Sequence, residues 1–141
     1  MGQIMKRVSD RFFQLAVLGA LAGMGLGVMM GKNEDFTLAP LHAHINLLIW
    51  VSMTLYALFY RAVPKATAGV LPVIHFGLNV LSILVMLPAL AMLLLGDKSV
   101  GPILGVASIG VWTSMLLFAF IVFKATWKAE AADSAETRKA A

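Results

Sequence analysis

Residues 38–60 read LAPLHAHINLLIWVSMTLYALFY, with His42 and His44 near the start and no Asp, Glu, Lys or Arg anywhere in the stretch. A helix needs roughly 20 apolar residues to cross about 30 Å of hydrocarbon at 1.5 Å rise per residue. The stretch therefore predicts a transmembrane helix. It also places two ionisable side chains inside an apolar span, where such groups are costly and are functional candidates by default. Pro40 suits the first turn of that helix, where its missing N–H costs nothing.

Three further runs of the same kind surround it: residues 12–31, rich in Gly and Ala; residues 70–95, with Pro72 near the start and Pro88 inside; and residues 100–123. The gaps are short and polar: Lys32-Asn33-Glu34-Asp35, Arg61 to Thr67, and Gly96-Asp97-Lys98-Ser99. With 60% hydrophobic residues, 13% charged residues and a mean hydropathy of +0.89, the chain lacks the polar surface that a soluble domain needs. The expectation is an all-α integral membrane four-helix bundle over residues 1–127, with a polar tail at 128–141 that is frayed or disordered. The basic start of the first run resembles a signal peptide. Its apolar stretch is too long for a signal core, however, and no small-x-small site precedes Lys32, so it reads as a retained span.

Nine of the eleven basic residues fall on one side of this topology: Lys6, Arg7 and Arg11; Arg61 and Lys65; Lys124, Lys128, Arg138 and Lys139. Only Lys32 and Lys98 fall on the other. The asymmetry predicts both termini in the cytoplasm, with a bacterial inner (plasma) membrane as the expected location. A basic rim facing anionic lipid headgroups accounts for the net charge of +4, and no nucleic-acid partner is needed.

The chain has no cysteine, which excludes disulfides, thiolate metal sites, iron–sulfur clusters and covalent haem attachment. Every carboxylate lies outside the four runs, so a buried carboxylate relay is excluded as well. Gly19, Gly23 and Gly27 repeat at four-residue spacing. They predict a close helix-packing face, within the subunit or between subunits.

What remains is the histidine pair. Residues two apart on an α-helix differ by about 200° in direction, so His42 and His44 cannot be the two axial ligands of one haem. Each serves a different site, or one is a ligand and the other structural. Asn46 lies one turn after His42 and is placed to orient its ring. The third histidine, His75, begins the third run, near the opposite face. Roughly 24 Å of helix separates His44 from the inner end of its span at Tyr60, so His75 cannot share an iron with either histidine of the pair in one chain. A haem held by two histidines at the level of the pair therefore needs a second copy of the chain. The plainer readings are that His75 is a polar anchor or a hydrogen-bonded packing residue, that Tyr60 and Trp127 belong to an interfacial aromatic belt, and that Trp50 and Trp112 pack in the core or stack on a porphyrin.

His42-Ala43-His44 followed by Asn46-Leu47-Leu48-Ile49-Trp50 resembles the His-x-His helix in the catalytic subunit of haem–copper oxidases and nitric oxide reductases. In that family one histidine of the pair holds the low-spin haem and the other the high-spin haem. The family's twelve helices form three arcs of four, and this chain resembles one arc. The resemblance implies a homotrimer in which His42 of one subunit and His44 of its neighbour sandwich a non-covalent haem b, with Asn46 and Trp50 beside it. The family's copper-ligand histidines and propionate-binding arginines have no counterpart, so no copper is expected. Electron transfer, or sensing of redox state or a small gas, with an unidentified redox partner is the leading expectation. A five-coordinate haem enzyme acting on nitric oxide or oxygen, or a haem-free assembly subunit of a respiratory complex, are the alternatives.

Overall fold

The computed structural model describes the backbone over residues 2–140 and the side chains over residues 8–127. Five α-helices form the described chain: α1 (Gly2–Asn33), α2 (Ala39–His44), α3 (Met53–Ala62), α4 (Leu71–Leu94) and α5 (Gly101–Ala140). A π-helical stretch, Ile45–Ser52, joins α2 to α3 without a break, and single 3₁₀ turns cover Pro64–Thr67 and Lys98–Val100. Four segments are long and apolar enough to cross a membrane: Val8–Asn33, Ala39–Ala62, Leu71–Leu94 and Lys98–Trp127. The all-α architecture with four spanning helices is thus the one expected. The side chains of the polar tail lie outside the described residues.

The spans end where the chemistry requires it. Asp35 caps the turn after α1, accepting from the Thr37 N–H at 2.9 Å and the Thr37 hydroxyl at 2.7 Å. Asp97 does the same before α5, accepting from the Ser99 N–H at 2.9 Å and the Ser99 hydroxyl at 2.6 Å. In both, these hydrogen bonds hold the carboxyl below its ordinary pKa, the side-chain bond contributing most. Gly96 takes φ +105°, a left-handed conformation that lets α4 end and the chain turn back within a few residues.

The four spans form two antiparallel pairs. α1 lies against α2, the π stretch and α3, with Ser9 donating to the Ala57 carbonyl at 2.9 Å and Arg61 paired with Asp10. At the other end of this pair the glycine face receives its partners. A Cβ on Gly19 would collide with Ile49, one on Gly23 would lie 2.6 Å from Asn46, and one on Gly27 2.9 Å from His42. The small-residue repeat is therefore a packing surface inside the subunit. α4 lies against α5, where Gly110 admits Ser82 in the same way.

The two pairs meet in a core concentrated at the Arg61 end of the bundle. Phe12, Ala16, Met53, Tyr56, Ala57, Tyr60, Ile83 and Ile121 are buried there. Many leucines, valines and phenylalanines elsewhere are exposed, as expected of a surface whose solvent is hydrocarbon. Helix association then depends on close packing and buried hydrogen bonds more than on exclusion of water.

Candidate functional site

His42 and His44 share one turn of α2 and meet different surroundings. His42 is half-buried and turns towards α1, where its Nδ1–H donates to the Gly23 carbonyl at 2.8 Å. That bond leaves Nε2 as the lone-pair nitrogen. Asn46 reaches back along the helix: its amide donates to the His42 carbonyl at 2.9 Å and approaches Nε2 to 3.3 Å. Gly23 and Gly27 make this possible, since a side chain at either position would displace the ring or the amide.

His44 is exposed. Its Nδ1–H donates to the Pro40 carbonyl, one turn back, at 2.7 Å. The ring is thus fixed to its own backbone with Nε2 pointing away from the polar backbone. A backbone carbonyl on one ring nitrogen is the usual way to fix tautomer and orientation in a metal-ligating histidine.

The π stretch follows directly. Backbone bonds five residues apart define it over Ile45–Ser52, and the Ser52 side-chain hydroxyl adds a bond to the Leu47 carbonyl at 2.7 Å. Such wide turns are rare and cluster at functional sites. This one resets the rotational phase of α3 relative to the histidine pair. Trp50, within it, is half-buried against the edge of the core.

An axial haem ligand needs a free imidazole nitrogen facing a space that the group can enter. His44 meets this test directly, because its Nε2 faces outward from an exposed position. His42 lies half-buried against α1, and its Nε2 becomes free only once the Asn46 amide, 3.3 Å away, turns aside. An apolar cleft of about 240 Å³ lies between α1, the π stretch and α4, lined in part by Leu18, Gly19, Ala22, Ile49 and Leu84. None of His42, His44, Asn46 and Trp50 lines this cleft. Among the described residues no three His, Asp or Glu side chains converge as a metal cluster.

His75 lies far from the pair. Its ring is fully buried at the level of Tyr60, whose hydroxyl shares a 2.9 Å hydrogen bond with Nδ1. Phe12, Tyr56 and Phe118 pack around it with ring centroids 4.6–5.4 Å away. His75 is a hydrogen-bonded packing residue and not a membrane-surface anchor. Tyr60 correspondingly leaves the expected aromatic belt: it is 3% exposed, because its hydroxyl bonds His75 and its ring fills the core. Trp127 remains exposed as expected, whereas Trp112, at 63% exposure, faces the hydrocarbon and does not pack in the core.

Sequence reading did not anticipate the π stretch, for which spacing offers no signal, or the contribution of Asn79 and Ser114. Both are buried polar residues inside spans, and Asn79 lies one turn after His75. Their polar character inside apolar runs and the one-turn spacing of His75 and Asn79 were available as signals. No family model, curated protein or solved structure matches the chain.

Proposed function

We propose that the chain is a haem b-binding protein of a bacterial inner membrane, with both termini cytoplasmic, that carries electrons or senses redox state between subunits of a homotrimer. The observation that carries this reading is the divided orientation of the pair. His42 is tied through Nδ1 to α1, whereas the exposed His44 is tied through Nδ1 to its own helix. One copy's His42 and the next copy's His44 can then approach a shared group from its two faces. The resemblance to one arc of the oxidase subunit supplies the number three.

Each residue has a role that follows from its contacts. The Gly23 and Pro40 carbonyls accept from the two Nδ1–H groups, which leaves Nε2 of each ring as the nitrogen that a haem iron would take. Asn46 occupies His42 Nε2 in the isolated chain and would move to bond elsewhere on ligation. Leu47 and Val51, exposed beside His44, would exclude water from the site. A bound haem supplies one-electron chemistry whose potential depends on axial ligands and dryness.

An absorption spectrum of the chain, purified after haem-supplemented expression, tests this reading. The expected result is a Soret band with six-coordinate, low-spin features that carbon monoxide leaves unchanged. A strong carbon monoxide shift would replace electron transfer with ligand binding or catalysis at a five-coordinate haem. Absence of any Soret band would leave a haem-free assembly subunit and overturn the proposal.

A further inference from the structure

The most demanding polar groups in the molecule lie outside the histidine pair, in the middle of the bundle. His75 Nε2, Asn79 Oδ1 and Ser114 Oγ are buried and have no hydrogen-bond partner among the described residues. His75 and Ser114 are 0% exposed and Asn79 is 2% exposed. Buried polar atoms are nearly always satisfied by protein or by water, and hydrocarbon outside the bundle offers no alternative.

The three side chains lie on facing turns of α4 and α5. α4 and α5 are antiparallel, with the Phe118 ring stacked on His75 at 5.4 Å and Gly110 seated against Ser82. One turn along α4 from His75 reaches Asn79, and one turn back along α5 from Phe118 reaches Ser114. Asn79 and Ser114 therefore share the level between these two contacts. Ser114 also differs from its neighbours on the same helix. Ser108 and Thr113 each donate to the carbonyl four residues back at 2.8 Å, the ordinary resting place of such a hydroxyl in an apolar span. The Ser114 hydroxyl forgoes that bond and turns into the bundle.

We propose that one buried water bridges His75 Nε2, Asn79 Oδ1 and Ser114 Oγ. Water suits this set because it both donates and accepts, and buried waters typically hold about three hydrogen bonds. An amide oxygen accepts only, a hydroxyl does either, and an imidazole nitrogen does one or the other according to its tautomer. Tyr60, His75, the water and Asn79 then form one chain. With the Tyr60 hydroxyl donating to Nδ1, the Nε2–H donates to the water. With Nδ1–H donating to Tyr60, the water donates to Nε2. The two arrangements differ in the histidine tautomer and in the orientation of the Tyr60 hydroxyl and of the water, and both keep every group in the chain neutral. This site is independent of haem and of the histidine pair.

Solid-state NMR on the full chain in lipid bilayers, with ¹⁵N-labelled histidine, tests the proposal. The His75 signals are those that His75→Gln lacks. Expected is direct transfer of magnetisation from water protons to His75 Nε2, lost in Ser114→Ala and in Asn79→Leu but retained in Ser108→Ala. No transfer to Nε2 in the unsubstituted chain, or transfer unaffected by both Ser114→Ala and Asn79→Leu, would overturn it. A narrow water O–H band in the infrared that shifts with H₂¹⁸O is the second expected signature, and its absence also contradicts the proposal.

Discussion

The two ends of the bundle use histidine in opposite ways. At the Arg61 end, His75 is buried among Phe12, Tyr56 and Phe118, and its Nδ1 is bonded to Tyr60, a side chain of the core. At the other end, His42 and His44 each give one nitrogen to a backbone carbonyl and leave the second poised. The first arrangement stabilises a fold, because a buried ring fills volume and its polar atoms hold neighbouring helices in one register. The second is what a ligand site requires, because orientation is fixed by main chain and the lone pair is left over. Helix packing differs in the same sense. The His75 end is a wide aromatic core, whereas the pair sits where glycines bring two helices into close contact with little between them.

Alanine substitution of the histidines should separate the ends most sharply. His42→Ala and His44→Ala are expected to abolish haem retention, read as loss of the Soret band, while His75→Ala retains haem in whatever protein folds. Equal loss from all three would erase the distinction. Gly27→Val comes next. Its new side chain would strike a His42 ring already held by Gly23, so thermal unfolding in detergent should show a loss of about 1–3 kcal/mol, the usual range for overpacking. Gly25→Val, where nothing lies within 4 Å, should be close to neutral.

At the other end, Phe12→Ala empties space among His75, Tyr56, Tyr60 and Phe76. Lipid is as apolar as the core, so the transfer contribution largely cancels and the cavity contribution remains. Roughly 100 Å³ at about 24 cal/mol per Å³ gives a loss of about 2 kcal/mol, measurable in the same unfolding assay. Haem retention should survive in the folded fraction, which a spectrum of the folded protein checks.

The smallest effect belongs to the turns. The folded-state pKa of Asp35 and of Asp97 lies below the ordinary value of 3.8, so each carboxylate favours the folded state above that pH. That contribution should fade as pH falls through the folded-state pKa. Both groups are fully exposed, so the expected result is a slight fall in melting temperature below pH 3.8, absent in Asp35→Asn/Asp97→Asn. A fall of equal size in the double variant would assign it elsewhere.

Much of the fold was legible because hydrocarbon length is a hard constraint. Charge-free runs of span length, separated by short polar gaps, leave little but four helices, and boundaries shifted by only a few residues. The Gly19, Gly23 and Gly27 repeat was legible as a close contact, but its partners were not, because spacing alone does not say which helix approaches. For the site, helix periodicity predicted that His42 and His44 face apart, and it placed Asn46 on His42. Tyr60 was misread because tyrosine at a span end is common at membrane surfaces, and only tertiary contact with His75 distinguishes a belt residue from a buried one. The π stretch left no trace in composition, since Ile45–Ser52 is as good an α-helix as any other apolar segment.

Mixing two defective chains tests the shared site most directly. His42→Ala retains His44, and His44→Ala retains His42. If haem is held between neighbouring copies, each variant alone should purify without a Soret band, whereas their co-expression should restore one at interfaces where the intact His42 of one chain meets the intact His44 of the other. Failure of the mixture to recover haem while the unsubstituted chain holds it, or retention of low-spin haem by an unsubstituted monomer, would contradict the account.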